Sequence, residues 1–138
     1  MSRDYDKGMK TRRKVLGDEW VDRALATLTP FNTEYQELIA RFAWNEIWNR
    51  PGMSHRERRI IVIAQTAAMG RWDEFKLHAG AALRSGDLTA DDLKEVLLQT
   101  TVYCGVPTGN HAFREASELV AAAAQARKPA PAKPRKRQ

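Results

Sequence analysis

At 138 residues, the chain is long enough for one ordinary hydrophobic core and too short for two. Its single cysteine, Cys104, excludes an internal disulfide, a Cys-x-x-C redox pair and a cysteine-rich zinc site. The formal net charge of +6 resides in the last twelve residues, RKPAPAKPRKRQ, since the other 126 hold 17 basic and 17 acidic residues, which argues against a body that binds nucleic acid specifically.

The proline-spaced basic segment at residues 127–138 cannot bury a core, so we expect a disordered tail after a helical domain at residues 1–126. Such a tail favours only nonspecific, salt-sensitive contacts with a polyanion, and a non-catalytic interaction protein is therefore one hypothesis. No stretch approaches eighteen consecutive apolar residues, and the first residues lack the apolar run of a secretory signal. We expect a cytoplasmic protein with no membrane partner.

Helical periodicity recurs along the chain, and no alternating strand pattern competes with it. We expect one or two short helices in the first forty residues. The next helix begins at Asn32 or Thr33 and ends before Pro51 and Gly52. We expect its buried face to consist of the apolar residues at helical spacing, namely Tyr35, Leu38, Ile39, Phe42 and Ile47.

Ser54 and Glu57 form a capping box ahead of the apolar run IIVIAQTAAM, which predicts a central buried helix at residues 60–69. Thr89, followed by two aspartates, predicts the start of another helix, and residues 110–126 again show a helical pattern. The expected breaks between these helices fall at Gly70, at Ser85 and Gly86, and at Gly105 and Pro107. The chain is therefore predicted to be an all-α domain of about six helices.

The stretch RWDEFKLH, residues 71–78, places Arg71, Glu74 and His78 at spacings of three and four. At about 100° per residue, these side chains fall within roughly 60° of one another on a helix. The strip borders the apolar face that holds Trp72 and Phe75, whereas a solvated surface would more naturally lie opposite the core, so a functional site is one interpretation. The alternative is that Glu74 and His78 form an ordinary surface pair at i and i+4.

A second candidate stretch, QTTVYCGVPTGNHAF, covers residues 99–113 and places Tyr103, Cys104 and His111 around a break between helices. Side chains from two helices can converge on a cavity at such a break, so these three residues are candidates for substrate binding. The alternatives are a tight turn, a buried cysteine that acts as a small hydrophobe, and a surface pair between His111 and Glu115.

Three segments carry a resemblance to a known family: YDKGMKTRRKVLGDEWVDRAL, the central RERRIIVIAQTAAMGRWDEFKLHAGAALRSGDLTADDLKEVLLQT, and VYCGVPTGNHAF. Together they resemble the carboxymuconolactone decarboxylase family of the AhpD-like superfamily, over roughly residues 5–125. The resemblance implies an AhpD-like helical fold. One departure is Trp20, where many of these decarboxylases carry histidine.

The superfamily also contains peroxidase-linked redox enzymes, which carry Cys-x-x-Cys-x-x-x-His where this chain has Arg71, Glu74 and His78. A dithiol mechanism needs two sulfurs within bonding distance, so the lone cysteine opposes this redox function, which stays as an alternative. Arginine instead favours an anionic substrate, because its planar fork pairs with a carboxylate in two hydrogen bonds.

The resemblance implies decarboxylation of 4-carboxymuconolactone to 3-oxoadipate enol-lactone in protocatechuate catabolism by the β-ketoadipate pathway, without a cofactor. In this chemistry, Arg71 holds a carboxylate or the developing enolate, and Glu74 orients His78 or shares its proton. His78 is the expected proton donor because imidazole titrates near working pH. Arg59 is a candidate second anion contact, its alternative being a helix-surface arginine. We expect no metal, because His55, His78 and His111 lack a recognisable ligand spacing.

The chain is also expected to form a homo-oligomer. Phe42, Trp44, Trp48 and the apolar helix at residues 60–69 present more large apolar surface than a small helical domain readily covers. The resemblance points the same way, since it implies a trimer or hexamer with pockets near the subunit contacts.

Overall fold

The computed structural model describes residues 2–127, and within them it contains seven α-helices and one π-helix. The predicted all-α class is confirmed. The helices exceed the expected number of about six because the segment after Asn32 divides between α and π geometry. In chain order, the helices are α1 (Arg3–Leu16), α2 (Asp18–Ala26), α3 (Thr33–Ile39), the π-helix (Ala40–Ile47), α4 (His55–Ala68), α5 (Trp72–Ser85), α6 (Ala90–Cys104) and α7 (Val106–Ala126).

Local capping chemistry sets the starts of α4 and α6. The Ser54 hydroxyl accepts the Glu57 backbone N–H at 3.1 Å, and the Glu57 carboxylate accepts the Ser54 N–H at 3.0 Å. Thr89 and Asp92 repeat this reciprocal pair at α6. The predicted break at Gly105 is confirmed, but Pro107 lies in the first turn of α7, where its missing N–H costs no helical bond.

Two apolar clusters hold the helices together. The first joins α4, α5, α6 and α7, and the second joins α1 and α2 to the tryptophans Trp44 and Trp48. Helix α5 belongs to both, because Phe75 and Ala79 lie in the first cluster while Leu77 packs against the second. The strip that precedes His78 is therefore carried by the helix that connects the two clusters.

The expected buried face of the segment after Asn32 was wrong. Tyr35, Leu38, Phe42 and Ile47 are exposed, whereas Ala40 and Trp44 are buried. Ala40, Trp44 and Trp48 form a second stripe at a spacing of four, and burial of its two large indoles is strongly favourable. The same finding corrects part of the argument for an oligomer, since Trp44 and Trp48 are covered within their own chain.

The apolar composition of residues 60–69 predicted a buried helix, but α4 is not buried on all sides. Its buried residues are confined to Arg59, Ile63 and Ala67, and Ile61 is exposed. The uncovered side of α4 remains available to a second surface. No helix within residues 2–127 is long and apolar enough to cross a membrane.

The expected boundary of the tail needs one correction. Arg127 donates a hydrogen bond from Nη2 to the Leu83 carbonyl oxygen at 2.8 Å, which ties the end of α7 to α5. Arg127 therefore belongs to the folded body rather than to the tail. The rest of the predicted tail, residues 128–138, lies outside the described part of the chain.

Helix α1 packs very closely against the π-helix at Gly8. A Cβ atom added to Gly8 would overlap the Ala40 carbonyl oxygen and come within 3.3 Å of the Asn45 backbone nitrogen. Since backbone atoms cannot swing aside as a side chain can, only glycine fits this crossing.

We predict that Gly8→Ala destabilises the protein by about 1–3 kcal/mol or more, through overpacking against backbone. Urea unfolding followed by circular dichroism measures the loss. Gly52→Ala is the matched control, because a Cβ there meets nothing within 4 Å. Equal unfolding midpoints for the two variants would contradict the close approach of α1 to the π-helix.

Candidate active site

His78 lies against two tryptophan rings that the π-helix and its end supply. Its imidazole is nearly parallel to Trp44, with ring centroids 6.3 Å apart, and to Trp48, at 6.2 Å. The two indoles are themselves stacked at 5.2 Å. His55, the first residue of α4, meets the Trp48 ring at 5.9 Å in an edge-on arrangement. We call these four residues the Trp–His cluster.

The His78 imidazole is held as a neutral ring. Burial among apolar groups, together with the positive charge of Arg59, lowers the pKa of His78 from 6.5 to about 4. Its Nδ1 is enclosed and has no hydrogen-bond partner within residues 2–127. The premise that His78 titrates near working pH was therefore wrong, because spacing in a sequence does not reveal desolvation.

A buried arginine, Arg59, forms an ion pair with the partly exposed Asp87. Arg59 is only 1% exposed, and its Nε donates to Asp87 at 2.8 Å while its Nη1 donates to the Val15 carbonyl oxygen, also at 2.8 Å. The surface-arginine alternative was wrong. Arg59 was also expected to be a second anion contact, but its guanidinium already has the Asp87 carboxylate as a partner. Arg59 therefore stabilises the fold, and its charge lowers the pKa of His78.

The other two members of the predicted strip lie at the exposed start of α5. Arg71 is the residue that precedes the first turn, and its side chain, like that of Glu74, makes no hydrogen bond or ion pair within residues 2–127. The expected contact between Glu74 and His78 is absent from the described residues. Both charged groups are therefore free to meet a ligand or another subunit.

His111 belongs to a different aromatic pair. Its ring stacks on Trp72 with centroids 4.0 Å apart, and its Nε2 lies 3.2 Å from a Glu115 carboxylate oxygen. Lys76 lies 3.9 Å from the other oxygen of the same carboxylate. The i, i+4 pair with Glu115 is confirmed, and the His111 ring is occupied within its own chain.

Tyr103 and Cys104 lie at the end of α6, on the rim of an apolar groove of about 530 Å³ between α4 and α6. Tyr103 is 80% exposed, and Cys104 is exposed as well, which corrects the alternative of a buried cysteine. No member of the Trp–His cluster lines this groove. The predicted substrate-binding residues thus fall into separate places within one chain.

The three histidines do not converge on a metal. His55 and His78 both pack on Trp48, whereas His111 packs on Trp72. Within residues 2–127, no group of three His, Cys, Asp or Glu side chains is arranged to hold a metal ion.

Trp44 and Trp48 were not among the predicted site residues. Their spacing of four was visible in the sequence, but it was interpreted as part of an exterior surface. Nothing in the sequence showed that both rings would lie on His78.

Comparisons with known proteins identify the family of the chain. A model of the carboxymuconolactone decarboxylase family matches residues 33–118. The chain belongs to the carboxymuconolactone decarboxylase family. The matched span holds all four residues of the Trp–His cluster, and the AhpD-like fold that the resemblance implied is confirmed with it.

Three named decarboxylases are similar to the chain, two of them over most of its length. The 4-carboxymuconolactone decarboxylase of Acinetobacter baylyi is 41% identical over 115 residues, which are 83% of this chain and 85% of that protein. Nitrosuccinic acid decarboxylase of Metarhizium robertsii is 38% identical over 104 residues, 75% of this chain and 72% of that protein. A 4-carboxymuconolactone decarboxylase of Pseudomonas putida is 59% identical over 39 residues, 28% of this chain and 81% of that sequence.

The lowered pKa of His78 predicts how stability depends on pH. The unfolded chain binds a proton near pH 6.5, which the folded chain binds only near pH 4, so stability falls as the pH drops through this window. We expect this histidine to account for about 3 kcal/mol of the loss. Urea unfolding of wild type and His78→Leu between pH 7 and 4.5 measures it.

His78→Leu should flatten the pH dependence, since leucine fills the site without a titratable group. His111→Leu is the comparison variant, because it also replaces a partly buried histidine stacked on a tryptophan. An unchanged slope in His78→Leu would contradict the neutral, desolvated imidazole.

Proposed function

We propose that this protein decarboxylates 4-carboxymuconolactone to 3-oxoadipate enol-lactone, without a cofactor, in cytoplasmic protocatechuate catabolism by the β-ketoadipate pathway. The observation that carries the proposal is a neutral, desolvated histidine on the same helix strip as an arginine and a glutamate that have no partner within residues 2–127, in a chain 41% identical to a protein named for this reaction. The lactone is a dicarboxylate, and its decarboxylation requires stabilisation of negative charge rather than a bound cofactor.

The electrons of the reaction have a path within the substrate. When the bond to the departing carboxylate breaks, its electron pair moves through the ring double bond to the lactone carbonyl oxygen, and carbon dioxide leaves. The resulting enolate then takes a proton at the carbon next to the carbonyl. The protein has to exclude water from the departing carboxylate, stabilise the oxygen and deliver the proton.

We assign the developing oxygen charge to His78 and Arg71. A neutral imidazole can donate a hydrogen bond to this oxygen through its single N–H. The hydrogen bond stabilises the negative charge most effectively in a water-poor site. Arg71 is free to approach the same charge, because its guanidinium has no partner within residues 2–127. Glu74, the carboxyl group of the strip, is assigned as the proton carrier to the carbon.

The redox alternative has less support. A dithiol reaction needs two thiols, and the chain has one, Cys104, which lies on the exposed rim of the α4–α6 groove. The named activities of the relatives are all decarboxylations. Carboxy-lyase activity is therefore the function that accounts for both the residues and the relatives.

We also propose a homo-oligomer, a trimer or hexamer, with the α4–α6 groove as a contact surface. The groove is almost wholly apolar, and it is flanked by exposed Ile61, Leu98 and Val102. Exposed apolar patches of this kind are typical of subunit interfaces. Assembly would also bring Tyr103 and Cys104 near a neighbouring chain, which accounts for their separation from the Trp–His cluster.

We predict that His78→Gln lowers kcat for the lactone by roughly 10²- to 10³-fold, the range for loss of one oxyanion donor. Glutamine approximates the volume of histidine, so circular dichroism should show an intact helical fold. Ultraviolet absorbance follows loss of the lactone. His111→Gln is the comparison variant. A decrease in kcat for His111→Gln equal to or larger than that for His78→Gln would indicate that the site lies at His111 and Trp72 instead.

We predict that Val102→Arg lowers the molar mass of the assembly. Val102 is 76% exposed in a single chain, so arginine there leaves the monomer fold intact but places a charge in the proposed contact. Light scattering after size-exclusion chromatography measures the mass. Glu118→Lys on α7 is the matched control at an exposed position, and equal masses for wild type and Val102→Arg would reject this interface.

A further inference from the structure

Helix α1 buries an arginine that has no acidic partner among the residues that the structure describes. Arg12 is 6% exposed, yet the structure gives its side chain no hydrogen bond and no ion pair within residues 2–127. Its Nε is fully enclosed and unpartnered. Arginines in protein interiors are almost always paired, because removing a guanidinium from water without a counter-charge is costly.

Two other arginines of the chain show how such charges are ordinarily compensated. The neighbouring Arg13 contacts Asp18 at 3.1 Å and Asp22 at 2.8 Å, although it is more exposed than Arg12. The buried Arg59 is paired with Asp87. Arg12 is therefore distinguished from both by deep burial without a carboxylate.

The one described contact of the Arg12 charge is aromatic. Its guanidinium carbon lies over the Trp20 ring, 5.4 Å from the centroid. A ring face attracts a cation, but it carries no net charge and leaves most of the five N–H donors without an acceptor. Burial accordingly lowers the pKa of the Arg12 guanidinium from its ordinary value.

Trp20 connects Arg12 to the proposed site. Trp20, which Arg12 covers, packs against the same apolar cluster that contains Trp44 and Trp48. Those two rings contact His78. The unpaired cation and the neutral imidazole therefore approach one aromatic cluster from different helices, α1 and α5.

We propose that Arg12 binds the substrate carboxylate that does not depart, on the acetate arm of the lactone. This inference rests on the proposed function and adds a specificity-determining residue to it. The acetate arm keeps its charge throughout the reaction, so a strong bidentate pair there does not oppose loss of carbon dioxide. Arg71 then remains free for the charge that develops on the lactone oxygen.

The kinetic test compares Arg12→Met with Arg13→Met. The pair to the acetate arm is equally strong before and during bond breaking, so we expect Arg12→Met to raise KM by roughly 10- to 100-fold with a much smaller change in kcat. Arg13→Met should keep KM within about twofold of wild type. An unchanged KM in Arg12→Met would overturn the proposal.

The second test measures thermal unfolding midpoints with and without succinate, with acetate at equal ionic strength as the single-carboxylate comparison. We expect Arg12→Met to unfold at a higher temperature than wild type without ligand, because it removes an uncompensated buried charge. It should also lose the stabilisation by succinate. Arg13→Met should unfold at a lower temperature and keep the response. A lower midpoint for Arg12→Met with the succinate response intact would identify a purely structural residue.

These two tests separate failure of the inference from failure of the proposed function. If wild type does not consume the lactone, the proposed reaction is wrong, and the succinate response of Arg12→Met still decides whether Arg12 binds a carboxylate. If Arg12→Met does not fold, Arg12→Lys replaces it, since lysine keeps the charge and loses the planar fork. A KM raised in Arg12→Lys at an unchanged midpoint supports the proposal, and an unchanged KM rejects it.

Discussion

The pair between the buried Arg59 and the partly exposed Asp87 is the interaction on which the rest of the interior depends. Arg59 reaches from α4 to the loop before α6 and to the Val15 carbonyl oxygen near the end of α1, so one side chain connects three parts of the fold. Removal of the Arg59 side chain would leave the buried Val15 carbonyl oxygen without this donor, which is costly because water cannot replace it there. The same charge opposes protonation of His78, so it couples the architecture to the state of the candidate catalytic ring.

Local chemistry made the helix boundaries predictable, whereas tertiary packing decided the rest. Ser54 with Glu57 and Thr89 with Asp92 satisfy each other within four residues, and their helix starts follow from sequence alone. The buried face of residues 33–48 did not follow, because two stripes at helical spacing compete there. Arg12 and Arg13 are adjacent and chemically identical, and only the fold distinguishes the paired charge from the unpaired one.

The candidate site shows the same division between spacing and environment. The spacing of Arg71, Glu74 and His78 on one strip was readable, but two of the three ended at an exposed helix start and the third in an aromatic interior. Desolvation is a property of what surrounds a ring, and the rings around His78 come from residues thirty and more positions earlier. The solvent-exposed charges of Arg71 and Glu74 are suited to binding a charged ligand, and the desolvated His78 is suited to the chemical step, because electrostatic interactions are stronger where water is excluded.

The exposure of Cys104 has a practical consequence for the assembly. As the only thiol of the chain, it can form a disulfide only with another molecule, and such a bond requires two Cα atoms about 4.4–6.8 Å apart. Mild oxidation therefore tests whether the ends of two α6 helices lie within this distance of each other. A covalent dimer that forms readily indicates that these ends meet, and a thiol that stays reduced in the assembled protein indicates that the subunits keep them apart.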